Sequence, residues 1–238
     1  MPIGLLVVGQ TNRTHERIED TMIQLVGPGG AGKTTVGLAL AKRLRVAFVD
    51  LDERFATRVG DISAYLEIHE YQAYAAQNIQ VYLDTRGSLG QETVMALSSG
   101  FMTYPKDAHP VYRELHREIA ASPSTVVLLP SFHYEACVTE TVRRQLKRPF
   151  SRSKEREEQV IRARLGDYSG LPAKKFETNR LVDAVVDDLV THLLPNIRLQ
   201  PTAARPIAPP SSILSRQRRD QRRLGLRRAR RGNGRRAR

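Results

Sequence analysis

Residues 26–35 read VGPGGAGKTT, and no other stretch of the 238-residue chain narrows the fold as far. Gly27, Gly32, Lys33 and Thr34 fit the pattern G-x-x-x-x-G-K-[ST] of a phosphate-binding loop. Backbone N–H groups can hold a row of anionic oxygens only if the chain wraps closely around them. Gly27, Gly29, Gly30 and Gly32 permit the positive-φ turns and the close approach that Cβ atoms would block. Ala31 and Thr35 complete the loop and its exit. Lys33 can reach the β- and γ-phosphates, and the Thr34 hydroxyl can ligate Mg²⁺. The flanks agree: MIQLV at 22–26 suits a buried strand, and 34–44 carries apolar residues at helical spacing. A helix starting at the loop would aim its positive end at the phosphates. These residues imply a nucleotide-binding protein.

The same alternation of strand and helix recurs down the chain. Val46–Val49, Val94–Leu97, Ser124–Pro130 and Lys174–Thr178 read as further strands, the first of these ending in Asp50-Leu51-Asp52. Helices are expected over 111–121, 135–146, 155–165 and 181–194, the last burying Leu181, Val185, Val186, Leu189 and Leu193. Residues 60–80 read as one or two helices whose buried face is Ile62, Tyr65, Leu66, Ile68, Tyr71 and Tyr74, and 81–91 is ambiguous. The pattern predicts an α/β fold of three layers, with a five-stranded parallel sheet covered by helices on both faces, as in P-loop nucleotide-binding proteins.

The net charge of +13 suggests a nucleic-acid partner until it is located. Residues 199–238 hold thirteen arginines and one acid, Asp220, leaving 25 basic against 24 acidic residues over 1–198. The globular part is therefore nearly neutral. The segment 196–238 has almost nothing apolar to bury and is expected to be a disordered arginine-rich tail. It lacks aromatic side chains to stack on bases, so any nucleic-acid binding through it would be non-specific. Residues 1–21 read as an N-terminal extension, which makes 22–195 the expected domain. Cys137 is the single cysteine, which excludes an intramolecular disulfide and suits a cytoplasmic location. No apolar run approaches the length of a membrane span.

Several further residues carry chemistry. Asp50 and Asp52 lie at alternating positions after a strand, where an extended backbone would send both the same way. Carboxylates there could place a Mg²⁺-bound water and an acceptor hydroxyl, or one of them could cap the next helix. Ser98, Ser99 and Gly100 end a strand with small residues that leave room for a ligand or another backbone. Residues 147–154, KRPFSRSK, read either as a mobile lid or as a solvated basic surface.

Together these motifs resemble the shikimate kinase family, over about residues 23–194. The loop at 26–35, Asp50-x-Asp52 followed by Gly60, Arg148-Pro149, Arg164, Tyr168 and Thr178-Asn179-Arg180 stand in the family's order and spacing. The resemblance implies that Asp50 assists Mg²⁺, that Asp52 contacts the acceptor hydroxyls, that Arg148 reaches the transferring phosphate, and that Arg164 holds an acceptor carboxylate. It also marks three departures. The family's Phe-Arg-x-x-Glu appears as Tyr74-Ala75-Ala76-Gln77-Asn78, its Gly-Gly-Gly as Ser98-Ser99-Gly100, and a proline as Gly166. The phosphoryl-transfer machinery is complete, and the acceptor pocket is altered.

The resulting expectation is an ATP- and Mg²⁺-dependent kinase of a small hydroxylated acid. Lys33, Asp52 and Arg148 would be catalytic, Thr34 and Asp50 would hold the metal, and Asp52, Ser99, Gly100 and Arg164 would bind the acceptor. A monomer without membrane association is expected. Shikimate is the leading acceptor, another hydroxylated metabolite stands second, and a nucleotide-binding regulator without kinase activity is the alternative class.

Overall fold

The computed structural model describes residues 22–89, 92–147 and 153–196. The first strand, β1 (Met22–Val26), leads through the glycine loop into α1 (Lys33–Leu44). There follow β2 (Ala47–Asp50), α2 (Leu51–Arg58), α3 (Ile62–Ile68), α4 (Tyr71–Ser88) and β3 (Thr93–Ala96). A 3-10 turn at Phe101–Thr103 precedes α5 (Tyr112–Ala121), β4 (Thr125–Leu129), α6 (Tyr134–Gln145), α7 (Lys154–Gly170), β5 (Lys174–Glu177) and α8 (Val182–Leu193). All strand pairs are parallel, in the order β2-β3-β1-β4-β5. The five-stranded parallel sheet inferred from the sequence is thus present.

Burial explains which strand sits where. Apart from Gln24, the central strands β1, β3 and β4 are runs of apolar and threonine side chains buried nearly throughout, as a sheet covered on both faces requires. The edge strands β2 (AFVD) and β5 (KKFE) each bury one residue fully, Val49 and Phe176. One face carries Val26, Met95, Leu97, Val127 and Leu129 into the main core, with Tyr74, Ile79 and Tyr82 of α4, Leu115 and Ile119 of α5, Val138 of α6 and Ile161 and Leu165 of α7. On the other, α1 lies so close to the sheet that a Cβ on Gly37 would stand 2.4 Å from the Phe48 ring and 3.0 Å from Leu25. There α8, which contacts α1, buries Val185, Val186, Leu189 and Leu193.

Three sequence expectations are corrected. The tyrosine-bearing stretch takes the two-helix alternative, and the buried face expected of it does not form. The chain is extended at His69 and Glu70, and α4 restarts in a new phase. Consequently only Tyr74 of the six expected side chains is buried, Ile68 is 79% exposed, and the ambiguous 81–88 simply continues α4. Leu181 is not part of the last helix's buried face. It stands at the N-cap of α8, outside the helical register, and is 81% exposed. Asp52 does not alternate with Asp50 along a strand, because β2 stops at Asp50 and Asp52 belongs to the first turn of α2.

Beneath the sheet's main face, the buried Tyr82 hydroxyl donates to Gln24 Oε1 at 2.9 Å, joining α4 to the central strand. Burial pushes the Tyr82 phenol up to about 12, so it stays a donor at all ordinary pH. Tyr82→Phe should therefore leave a buried amide oxygen without its donor and lower unfolding free energy by about 1–3 kcal/mol, read from urea denaturation. An unchanged midpoint would show that this bond contributes nothing to the fold.

Candidate active site

The carboxyl ends of the strands gather the residues with chemistry. Val26 delivers the loop, in which Gly27, Gly30 and Gly32 take φ values of 150°, 77° and 93°. Conformation is only part of the demand. A Cβ on Gly27 would lie 2.3 Å from the Leu128 carbonyl oxygen of β4, and one on Gly30 would lie 2.9 Å from the Thr141 carbonyl oxygen of α6. Gly29 does not need positive φ; a Cβ there would lie 2.3 Å from Gln145 Nε2. The loop is thus pressed between β4 and α6 by contacts that tolerate no side chain. Ala31 is fully buried, and Thr35 is exposed on the first turn of α1.

No side chain caps α1, and its first turn holds no acid. Its leading N–H groups, with Gly32 in the left-handed region, form an anion-binding concavity. Lys33 Nζ donates across the loop to the carbonyl oxygens of Gly27 (2.7 Å) and Pro28 (3.0 Å). Thr34 Oγ1 donates to Asp50 Oδ2 at 2.7 Å, and the other oxygen, Asp50 Oδ1, accepts the Asp52 N–H at 2.9 Å. Asp50 therefore both caps α2 and meets the threonine of the loop. Among the described residues no group of three or more His, Cys, Asp or Glu is gathered around a metal position. One hydroxyl and one carboxylate at the end of a phosphate loop nevertheless fit Mg²⁺, which keeps several waters and takes phosphate oxygens as its other ligands.

Sequence reasoning missed the group that holds the loop from outside. Arg144, in the last turn of α6, donates from Nη1 to Gly30 O (3.3 Å) and Thr178 Oγ1 (3.1 Å), and from Nη2 to Thr178 O (3.1 Å) and Asn179 Oδ1 (3.4 Å). Thr178 Oγ1 in turn donates to Ala31 O at 2.8 Å. Glu140, one turn earlier, receives Arg144 Nε at 2.6 Å and two bonds from Arg143. The only signal in the sequence is the Arg143-Arg144 pair, which also reads as ordinary helix-end charge.

On the acceptor side, the end of β3 turns through Ser98, Ser99 and Gly100. Ser98 is buried, the Ser99 carbonyl receives the Tyr168 hydroxyl at 2.8 Å, and Phe101 N–H closes the turn onto Ser98 O at 3.0 Å. Gly100 is covered by rings: a Cβ would fall 2.6 Å from Tyr71 Oη, 2.9 Å from Tyr104 Cε1 and 3.5 Å from Arg164 Cζ. The structure thus brings Gly100 and Arg164 together, as expected, but adds Tyr71, whose hydroxyl accepts from Arg164 Nη2 at 2.8 Å. Burial first, and then the Asp52 carboxylate, raises the Tyr74 phenol well above its ordinary range. Tyr104 is raised chiefly by burial, with Tyr74, Tyr71 and Asp52 adding to it. Ala75 is completely buried within the main core, and Asn78, one turn on, accepts the Tyr104 hydroxyl at 3.1 Å. Arg148 lies outside the described residues.

A phosphate loop after the central strand of a 2-3-1-4-5 parallel sheet, with a metal-competent Thr–Asp pair at its end, is the framework of a P-loop phosphotransferase. A family model described as shikimate kinase matches residues 29–193. A shikimate kinase of Legionella pneumophila (strain Corby) is 32% identical over 178 residues, covering 72% of this chain and 93% of its own. One from Francisella tularensis subsp. novicida is 27% identical over 180 residues, covering 72% and 94%. Among solved structures, the shikimate kinase of Acinetobacter baumannii in complex with shikimate superposes with a TM-score of 0.58 at 24% identity, covering 75% of this chain and 95% of that one. The chain belongs to the shikimate kinase family.

Glu140 supplies a pH test of the loop clamp. The Arg143 guanidinium, followed by that of Arg144, holds its carboxyl down at about 2 from an ordinary value of 4.5. A depressed carboxylate stabilises the fold above its unfolded value and loses that contribution as pH falls through the folded one. The Tm difference between the parent protein and Glu140→Gln should therefore be full above about pH 4.5 and shrink as pH drops toward 2. A gap independent of pH would mean that the carboxylate charge does not anchor Arg144.

Proposed function

We propose that the protein transfers the γ-phosphoryl group of ATP, with Mg²⁺, to a hydroxyl of a small acidic metabolite, and that shikimate is that acceptor. The observation that carries the reading is the 2.7 Å hydrogen bond from Thr34 to Asp50 at the end of the phosphate loop, with Asp52 in the next turn and the Arg164–Tyr71 pair against Gly100. Family membership and the names of the relatives support the acceptor.

In this reading each side chain has one task. Lys33 moves from the Gly27 and Pro28 carbonyls onto the β- and γ-phosphates, while the loop amides and the start of α1 fix the phosphate chain. Thr34 and Asp50 would hold Mg²⁺, which when bound would supply charge neutralisation at the phosphates. Asp52 orients the acceptor hydroxyl and receives its proton as the new phosphate ester forms. Arg164 fixes the acceptor's carboxylate so that the hydroxyl points toward the loop. Arg148, which precedes Pro149, is assigned to the transferring phosphate, and Ser99 to the floor of the acceptor site. Residues 22–195 are proposed to be the whole catalytic unit, acting as a monomer in the cytoplasm. Cys137 is a buried free thiol, which suits that compartment. Among the described residues no helix is long and apolar enough to cross a membrane. Non-specific nucleic-acid binding is assigned only to the arginine-rich 199–238.

Steady-state ADP release with shikimate and a panel of other hydroxy acids is the direct test. Shikimate-dependent release supports the reading. Release with another hydroxy acid alone removes shikimate but keeps the reaction, and ATP binding without release by any acceptor indicates a regulatory protein. Lys33→Ala should lower kcat on the order of a hundredfold or more while the protein keeps a cooperative thermal melt. Turnover near the parent rate would remove Lys33 from the reaction. A protein limited to 22–195 should keep the parent kcat and its cooperative melt; loss of either would place part of the core in the extensions.

A further inference from the structure

We propose that the Tyr71 hydroxyl is the second arm of the acceptor's carboxylate site, working beside Arg164; this rests on the acidic-acceptor reading above. Tyr71 is the first residue of α4, just after the extended His69–Glu70 step that separates it from α3. That break releases Tyr71 from the packing expected of a continuous helix and leaves it 37% exposed. Its ring is nonetheless held from two sides, with the Tyr74 centroid at 5.9 Å and the Tyr104 centroid at 5.8 Å. Tyr104 is itself tied to the buried Asn78. Packing therefore fixes the ring, and the hydroxyl it carries accepts from Arg164 Nη2 at 2.8 Å.

Charge explains what the pair would bind. Among the described residues Arg164 has no acid within ion-pair distance, whereas Arg162 in the same helix holds Glu135 and Glu158, and Arg144 holds Glu140. A part-buried guanidinium that pairs with no acid among the described residues is suited to an anion brought by the ligand. A guanidinium offers five N–H donors in a planar fork, and one edge is committed to Tyr71 Oη. The oxygen that accepts from Nη2 carries its own proton and stands 2.8 Å from that nitrogen. A carboxylate oxygen received by a neighbouring N–H of Arg164 then lies within reach of the phenol proton. The two groups form a mixed fork, one cationic and one neutral. Gly100 makes the geometry possible, since any Cβ there would stand 2.6 Å from Tyr71 Oη. The ligand class that fits is a hydroxylated monocarboxylate, and a neutral analogue loses both arms together.

The full chain is assayed with ATP and shikimate as the probe, and with shikimate carboxamide as the neutral control. Tyr71→Phe keeps the ring contacts and removes only the hydroxyl. It should raise KM for shikimate about tenfold while leaving kcat, KM for ATP and Tm unchanged. Its effect on KM for the carboxamide should be less than about twofold, because that ligand lacks the charge the fork receives. An unchanged KM for shikimate in a variant whose parent is active overturns this proposal alone. Equal losses on the acid and the amide, or a lowered Tm, assign the hydroxyl to packing and also overturn it. A parent protein that neither phosphorylates shikimate nor binds it by calorimetry overturns the acceptor reading first, and this inference with it.

Discussion

Everything at the phosphate end depends on how closely the loop backbone is pressed against its surroundings. Gly27 meets the Leu128 carbonyl and Gly30 the Thr141 carbonyl, each at a distance that leaves no room for a methyl group, and Gly29 lies against the Gln145 side-chain amide. These contacts, with positive φ at Gly27, Gly30 and Gly32, shape the amide concavity before any nucleotide arrives. Preorganisation matters here because phosphoryl transfer depends on positioning and charge neutralisation rather than on covalent steps by the protein. The Arg144 guanidinium then connects the loop to the β5–α8 turn through Gly30, Thr178 and Asn179. One side chain at the end of α6 thereby ties together three segments distant in sequence.

The acceptor end is built on a different principle. Its framework is a run of aromatic contacts, Phe55–Tyr74, Tyr74–Tyr104, Tyr71–Tyr104, Phe101–Tyr104 and Tyr104–Tyr112, with ring centroids 5.2–6.1 Å apart. Such tilted and edge-on pairs resist sliding, so they hold the hydroxyls at defined positions. Burial raises the phenols of Tyr74, Tyr104, Tyr112 and Tyr168 far above physiological pH. They act as neutral donors, with Tyr168 fixing Ser99 O and Tyr104 fixing Asn78. A carboxylate approaching Arg164 thus meets one guanidinium set in an uncharged aromatic wall. The wall also explains why Ala75 is not an open position for a longer side chain. It is completely buried among these rings, so anything larger must displace core residues.

Much of this protein was legible without coordinates. The glycine spacing at 27–32, the lysine and threonine after it, and the alternation of short apolar runs with helical periods determined the fold class, because each is a local requirement of backbone or packing. Lys33, Thr34 and Asp50 were legible as candidate site residues from the loop motif and the strand end after it, and Arg164 only through the resemblance to the shikimate kinase family. Other features were decided only by tertiary structure. Arg144 is indistinguishable in sequence from helix-end charge, and its role arises because α6 ends against the loop and β5. Asp52 leaves the strand because Asp50 caps α2 one residue earlier than simple alternation allows. Tyr71 reads as a core position until the break at His69–Glu70 changes the helical phase. Local patterns report which face of one element is apolar. They cannot report which two elements meet, and the clamp on the loop and the Tyr71–Arg164 pair exist only where elements 34 and 93 residues apart in sequence come together.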